Sequence, residues 1–215
     1  MKVGAVLFDM DGTLINSEPM HTKIIQKVVK ERLGEEITEE EIEKYVGLDY
    51  EHKLMKIFDG RDDINYKELD KIITEKSLEN PQLIEKIPGA EKVIREMGGN
   101  FKIALVTGSS REQAETFLEA LDFKKYFEII ITASDVEKNK PNPDSYLLAT
   151  KKLNVNIKNC VVLEDSIPGI KAAKSAGAFC IAIRHEHNKH LNFSKADKIV
   201  DGIDKINVEL IKELQ

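Results

Sequence analysis

Short apolar segments that end in polar residues recur along this chain, and they constrain its fold more than any other feature. Each segment is almost continuously apolar instead of alternating, which is typical of parallel strands covered on both faces of a sheet. The segments span residues 3–8, 102–107, 127–132, 160–163 and 179–183, with a weaker one at 198–200. The chain is therefore expected to form a mainly parallel sheet.

Amphipathic helices are predicted between these strands. Over residues 110–121 the apolar side chains fall on one stripe, and Ser109 has capping-box spacing to Glu112. Asn142 followed by Pro143 predicts the start of a second helix, and residues 168–176 form a third. Strands that alternate with helices predict an α/β fold with a doubly wound, Rossmann-like parallel sheet.

The connection after the first strand departs from this alternation. About 90 residues precede the next strand, far more than an ordinary crossover needs. Their apolar spacing is helical throughout, and Ser17-Glu18-Pro19 predicts the start of the first helix. We therefore expect an α/β core, residues 1–16 and 86–215, and an inserted helical domain, residues 17–85.

Composition argues against several classes of protein. The 215 residues carry a net charge of −6, so neither nucleic acid nor a membrane surface is an expected partner. No apolar stretch is long enough to span a bilayer, and the first residues lack the features of a secretory signal. Cys160 and Cys180 lie in predicted strands, which favours buried, reduced thiols and a cytoplasmic location.

Polar motifs follow the predicted strands at their carboxyl ends, the edge where open α/β sheets bind ligands. Four carboxylates at one edge would repel each other without a cation, and hard oxygen ligands with few histidines nearby favour Mg²⁺. A metal, hydroxyl groups, backbone donors and a lysine together form a site for a phosphoryl group. The motifs are Asp9-Met10-Asp11-Gly12-Thr13, Thr107-Gly108-Ser109-Ser110, Lys140-Pro141-Asn142-Pro143 and Glu164-Asp165-Ser166.

The motifs DMDGT, TGS, K-P-x-P and EDS, in this order, resemble those of the haloacid dehalogenase-like superfamily, and the resemblance covers the whole chain. The helical insertion is similar to the cap of the group that contains β-phosphoglucomutase and small sugar-phosphate phosphatases. This resemblance implies a Mg²⁺-dependent phosphatase. Its substrate would be a small phosphorylated metabolite, such as a sugar or polyol monophosphate, and the reaction would pass through an aspartyl-phosphate.

The resemblance also implies roles for the acidic residues. Asp9 would be the nucleophile. Asp11 would protonate the leaving oxygen and later deprotonate the attacking water. Mg²⁺ would be bound by the Asp9 carboxylate, the Asp11 main-chain carbonyl and Asp165, with Glu164 acting through water.

Phosphate and substrate contacts are implied in the same way. Thr107 and the amides of Gly108 and Ser109 would bind phosphoryl oxygens. Lys140, directly before the Pro-x-Pro turn, would neutralise charge on the nucleophile and the phosphate, unless it is simply solvated. His21 could orient the acid–base aspartate or contact the substrate, as a histidine at this place does in β-phosphoglucomutase-like relatives, or it could lie at the surface.

Two other functions remain open. The mutase carries a lysine just before a glycine of its cap loop and an arginine three residues after it, which hold a second phosphate. Here Gly47, a further candidate for substrate contact, is preceded by valine and followed three residues later by Tyr50, so hydrolysis is favoured, although Lys44 or Lys53 could reach the site. A non-catalytic phosphate-binding protein is the remote alternative, because such a relative would usually have lost one of the motif residues.

Two further expectations complete the sequence interpretation. His185, His187 and His190 form an H-x-H-x-x-H run, but no carboxylate or cysteine completes a metal site there, so a solvated loop is predicted. The protein is expected to be a monomer, because the sequence shows no evident exposed apolar patch.

Overall fold

The computed structural model of the protein describes residues 2–45 and 48–214. Its strands are β1 (Ala5–Phe8), β2 (Ile15–Asn16), β3 (Glu85–Lys86), β4 (Lys102–Val106), β5 (Ile129–Ile131), β6 (Cys160–Glu164), β7 (Phe179–Arg184) and β8 (Lys198–Asp201). The six strands that the sequence predicts differ from their predicted bounds by at most two residues at either end, and β2 and β3 are two further, short strands.

Helices connect these strands within the described part of the chain. They are α1 (Glu18–Leu33), α2 (Glu39–Glu43), α3 (Tyr50–Ile57), α4 (Tyr66–Glu79), α5 (Ala90–Gly98), α6 (Arg111–Ala120), α7 (Asp144–Leu153), α8 (Ile167–Ala176) and α9 (Val208–Glu213). No helix among residues 2–45 and 48–214 is both long and apolar enough to cross a membrane.

The main sheet is parallel throughout and has the strand order β5-β4-β1-β6-β7-β8. Successive side chains of each strand enter two different apolar cores. In β1, Val6 and Phe8 pack with α5, α6 and α9, whereas Ala5 and Leu7 pack with α7 and α8. Helices therefore cover both faces of the sheet, and the predicted doubly wound α/β fold is confirmed. This order places the carboxyl ends of β1, β4 and β6 side by side.

The long connection after β1 contains α1 to α4, as its apolar spacing predicts. It is not entirely helical, however, because β2 and β3 form a short antiparallel ribbon where the chain leaves and re-enters the core. Ile15 pairs with Lys86, and Asn16 pairs with Glu85. We call residues 17–85 the helical insertion. Its status as a separate domain, and the core limits 1–16 and 86–215, remain predictions.

Two of the predicted helix starts are wrong in detail. The capping box of α6 is formed by Ser110 with Gln113, not by Ser109 with Glu112. The hydroxyl of Ser109 instead donates a hydrogen bond to Asp11 in the candidate site. The Asn142 side chain does not cap α7 either, since its amide donates to the Asn139 carbonyl oxygen. Both side chains stabilise loops at the carboxyl edge of the sheet rather than helix ends.

Candidate active site

Lys140 connects the carboxyl ends of three neighbouring strands. Its Nζ atom lies 2.6 Å from Asp9 Oδ1, 2.7 Å from Glu164 Oε1 and 3.0 Å from the Val106 carbonyl oxygen. Only 9% of the Lys140 and Asp9 side chains is exposed, and none of Glu164. The structure thus brings Lys140, Asp9 and Glu164 together at the edge where the motifs predict a site.

The charges in this site strongly affect each other. Burial raises the pKa of the Asp9 carboxyl well above its ordinary value, and the Glu164 carboxylate raises it further, while Lys140 opposes both. Burial by itself lowers the pKa of Lys140, but the neighbouring carboxylates outweigh this effect and the pKa is raised. The Asp165 pKa is also raised, first by burial and then by Glu164. One ammonium therefore does not fully compensate the buried carboxylates.

A hard divalent cation fits this excess of negative charge. Asp9, Glu164 and Asp165 each offer a carboxylate oxygen, and these oxygens all lie within 4.8 Å of one another. Oxygen ligands of this kind suit Mg²⁺. The loop after β1 leaves room for the Asp165 carboxylate, because it has Gly12 at φ 73°, where an added Cβ would lie 2.1 Å from Asp165 Oδ2.

Glu164 differs from the other two carboxylates because both of its oxygens are already hydrogen bonded. Oε1 accepts from Lys140 and, at 2.8 Å, from the Tyr146 hydroxyl. Oε2 accepts from the amides of Asp165 and Ser166 and from the Ser166 hydroxyl. A Cβ at position 169 would lie 1.7 Å from Oε1, so a glycine is required there. Glu164 thus holds Lys140 and the 164–166 turn in place.

The second aspartate of the first motif, Asp11, is held by two hydroxyl groups. Ser17 Oγ donates to Asp11 Oδ1 at 2.6 Å, and Ser109 Oγ donates to Oδ2 at 3.0 Å. Ser17 precedes α1, where its side chain makes no capping bond. The sequence interpretation missed this role because a serine before Glu-Pro reads as an ordinary helix start. Asp11 is therefore oriented from both the helical insertion and the core.

The TGS motif forms the turn between β4 and α6. Thr107 is 2% exposed, and its hydroxyl oxygen accepts a 3.0 Å hydrogen bond from the Ser109 amide. No heavy atom lies within 4 Å of the place where Gly108 would carry a Cβ. The turn is thus open beside Gly108, and it lies at the positive end of α6, where anions are stabilised.

His21 lies on α1 and does not have the surface position that the sequence left open. Its ring meets that of Tyr50 edge-on, with centroids 5.3 Å apart. Its Nε2 atom is buried and has no hydrogen-bond partner among the described residues. Burial lowers the pKa of His21. Gly47, the remaining predicted substrate contact, lies outside the described residues.

The predicted solvated loop at the H-x-H-x-x-H run is wrong for two of its histidines. His185 Nε2 lies 3.0 Å from Asp165 Oδ2, and His187 Nδ1 lies 2.9 Å from Glu43 Oε1 in the helical insertion. Only His190 is exposed. The run alone could not reveal these contacts, because their carboxylate partners come from distant parts of the chain.

The adjacent Asn188 is fully buried and strengthens the link to the site. Its amide nitrogen donates to the main-chain oxygens of Asp165 and Ile183, at 2.9 and 3.0 Å. Its Oδ1 atom accepts from the His185 amide at 2.7 Å. Segment 185–188 therefore fixes Asp165 through its side chain and its backbone.

Known proteins match this chain over most of its length. Residues 6–183 match the family model described as haloacid dehalogenase-like hydrolase. The chain belongs to this family. A similar protein, phosphorylated carbohydrates phosphatase from Thermotoga maritima, is 33% identical over 178 residues, covering 80% of this chain and 81% of the relative. Fructose-1-phosphate phosphatase from Escherichia coli (strain K12) is 30% identical over 198 residues, covering 85% and 97%.

Solved structures of haloacid dehalogenase-like proteins share the fold. CbbY from Rhodobacter sphaeroides, in complex with phosphate, superposes with a TM-score of 0.85 at 25% identity, covering 98% of this chain and 99% of the other. A β-phosphoglucomutase from Clostridium difficile has a TM-score of 0.81 at 25% identity, covering 98% and 96%. The family resemblance and the fold predicted from the motifs are confirmed. The chain is an enzyme of the haloacid dehalogenase-like phosphatase type.

Proposed function

We propose that this enzyme is a Mg²⁺-dependent phosphatase that hydrolyses a small sugar or polyol monophosphate through an aspartyl-phosphate on Asp9. The observation that carries the proposal is the hydrogen bond from Lys140 to Asp9 at the end of β1, since β1 pairs with β4, the strand that leads into the open turn at Gly108. A carboxylate nucleophile, a cation and backbone donors then converge where a phosphoryl group would sit. The names of the two phosphatase relatives support a phosphorylated sugar as substrate.

The first chemical step is attack by Asp9 on phosphorus. Oδ1 is engaged by Lys140, so Oδ2 is the oxygen that we assign to the attack. A new bond forms between Oδ2 and phosphorus while the bond from phosphorus to the leaving oxygen breaks. Asp11 donates a proton to that oxygen, and Ser17 and Ser109 keep the Asp11 carboxyl in place.

In the second step a water molecule attacks phosphorus and releases Asp9. Asp11, now deprotonated, takes the proton from this water, so both groups return to their starting states. Thr107 and the amides of Gly108 and Ser109 would bind the phosphoryl oxygens, and the amide of Ser109 would exchange its bond to Thr107 for one to phosphate.

Mg²⁺ would be held by Asp9, the Asp11 carbonyl and Asp165. When bound, it supplies positive charge to the phosphoryl oxygens and lowers the repulsion between the carboxylates. Glu164 would act indirectly, because both of its oxygens accept hydrogen bonds from protein groups. We propose that the helical insertion is the cap that excludes bulk water during attack. A cytoplasmic location and a monomeric state remain predictions.

Hydrolysis is favoured over the mutase reaction by the side chains at the start of α3. Tyr50 stands where the mutase would need an arginine, and it is buried, with its hydroxyl oxygen 3.4 Å from Ser77 Oγ. The Asp49 side chain accepts a hydrogen bond from the His52 amide and caps the helix. Neither side chain supplies the positive charge that a second phosphate requires.

The test is phosphate release from a panel of sugar, polyol and nucleotide monophosphates, measured with Mg²⁺ and again with a chelator. Asp9→Asn serves as the inactive control. The panel includes β-glucose 1-phosphate, and its conversion to glucose 6-phosphate is monitored by NMR. Metal-dependent phosphate release is expected. Isomerisation without release would instead identify a mutase, and release by Asp9→Asn would exclude the covalent route.

A further inference from the structure

The helical insertion contains a lysine that the chemical steps do not use. Lys53 lies on α3, and only 2% of its side chain is exposed. Its nearest carboxylate oxygen is Glu18 Oε2 at 3.8 Å, which is beyond hydrogen-bond distance. Within residues 2–45 and 48–214, this long ion pair is the charge contact that the structure gives for Lys53. An ammonium has three N–H donors, so Lys53 can also bind a ligand group.

Two groups near Lys53 have buried atoms without a hydrogen-bond partner. Glu18 Oε2 and His21 Nε2 are both buried, and neither makes a hydrogen bond within the described residues. Glu18 and His21 lie three residues apart on α1, so they share one face of that helix. Glu18 and His21 thus carry buried polar atoms without a partner among the described residues, and the buried Lys53 lies beside Glu18. We call these three residues the insertion cluster.

The insertion cluster lies beside the acid–base aspartate. Ser17, the residue before Glu18, donates a 2.6 Å hydrogen bond to Asp11. Burial lowers the pKa of His21, whereas the carboxylates of Glu18 and Asp11 act in the opposite direction. In the proposed reaction Asp11 protonates the leaving oxygen, so the rest of the leaving group would extend towards the cluster.

We propose that the insertion cluster recognises hydroxyl groups of the leaving group, and that Lys53 and Glu18 are specificity-determining residues. This inference rests on the proposed phosphatase function and narrows its substrates to polyhydroxylated monophosphates. A hydroxyl group can accept a hydrogen bond from the Lys53 ammonium and donate one to Glu18. Neighbouring hydroxyl groups of a sugar or polyol would satisfy both residues and His21 together.

The charge balance disfavours a second anionic group at this place. The charge of Lys53 is opposed by Glu18, and Ser17, the residue before Glu18, is hydrogen bonded to the carboxylate of Asp11. A second phosphate or a carboxylate would be repelled by these negative groups, and it would be attracted only by Lys53, whose charge is already partly neutralised. Hydroxyl groups avoid this repulsion, and a site built for them rejects analogues that leave its polar groups unpaired.

The test compares the specificity constant kcat/KM for a hexitol monophosphate, a hexose bisphosphate and p-nitrophenyl phosphate, which has no aliphatic hydroxyl group. The wild-type enzyme should prefer the hexitol monophosphate over the bisphosphate by at least about tenfold. Lys53→Met should lower the ratio of hexitol monophosphate to aryl phosphate activity about 10- to 100-fold, mainly through KM. Lys44→Met is the matched control, because the Lys44 side chain is 57% exposed, and its ratio should equal that of the wild type.

The outcomes separate this inference from the function on which it rests. Suppose that Lys53→Met hydrolyses the aryl phosphate and that its ratio of hexitol monophosphate to aryl phosphate activity equals that of the wild type. This result would overturn the role of the cluster, and the phosphatase proposal would stand. A wild-type preference for the bisphosphate would also overturn it, and this measurement needs no variant. No phosphate release from any of the three compounds would contradict the phosphatase proposal itself. Glu18→Gln, which keeps the size of the side chain, should lower the same ratio by a smaller factor.

Discussion

The two sides of the site satisfy their charges in different ways. On the core side, Lys140 has three oxygen partners within 3.0 Å. On the insertion side, the nearest carboxylate oxygen to Lys53 is 3.8 Å away, and buried atoms of Glu18 and His21 have no partner among the described residues. Preorganised groups serve a step that every substrate shares, whereas unpaired groups can distinguish one substrate from another. In the proposed mechanism, the core therefore performs the chemistry and the insertion selects the substrate.

Segment 185–188 connects these two sides. His185 contacts Asp165 on the core side, and His187 contacts Glu43 at the end of α2. The insertion and the carboxylate edge are therefore joined by one short stretch of chain. Substitutions on each side, and in this connection, should have effects of different kind and size.

The largest effect is expected from Asp9→Asn, because the amide removes the nucleophile. Turnover should fall on the order of 10⁴-fold or more for every substrate, including p-nitrophenyl phosphate. Circular dichroism and thermal unfolding should show a folded protein, since Lys140 keeps its contact with Glu164. A loss confined to polyol phosphates would contradict the assignment of chemistry to the core side.

Lys140→Ala should be next in size, and it should affect both catalysis and stability. The loss of its positive charge should lower kcat about 10²- to 10³-fold. The Asp9 and Glu164 carboxylates would also be left buried without their cation, which should lower the free energy of unfolding by about 3–5 kcal/mol. Denaturant unfolding measures this change. Lys138→Ala, at an exposed position in the same loop, is the matched control and should leave both quantities unchanged.

His185→Phe should weaken Mg²⁺ binding, because it removes the hydrogen bond to the Asp165 carboxylate. Loss of such a supporting contact usually lowers metal affinity about 10- to 100-fold. Isothermal titration calorimetry with Mg²⁺ gives this affinity without a turnover assay. The exposed His190 offers a control, His190→Phe, which should bind the metal as the wild type does. Equal affinities in the two variants would remove His185 from the metal site.

The smallest effect is expected from the contact between His187 and Glu43. Both side chains are partly exposed, at 26% and 36%, so the interaction should contribute no more than about 1 kcal/mol. A double-mutant cycle with His187→Ala and Glu43→Ala, read by KM for a polyol phosphate, measures their coupling. Coupling in KM for the polyol phosphate, without coupling in KM for p-nitrophenyl phosphate, would show that the contact acts in substrate selection. Purely additive effects would show that the contact does not hold the insertion in place.

Local sequence patterns predicted several of the residues that the structure brings together at the carboxyl edge of the sheet. A strand followed by Asp9 and Asp11 can be read within a few residues, and Lys140 is marked by the adjacent Pro-x-Pro turn. The sheet topology then brings these strand ends together, as confirmed by the contact of Lys140 with Asp9. The ribbon formed by β2 and β3 was missed, because strands of two residues carry too little apolar pattern to be recognised.

The sequence by itself therefore determined the α/β core, the helical insertion and the residues expected to perform phosphoryl transfer. Only the tertiary structure decided which hydroxyl groups hold Asp11, that Tyr146 binds Glu164, and that the buried Lys53 lies 3.8 Å from Glu18. The physical reason is the range of the interactions. Strand and helix patterns arise from neighbouring residues, whereas the pairing of a buried charge depends on groups that folding brings together from distant segments.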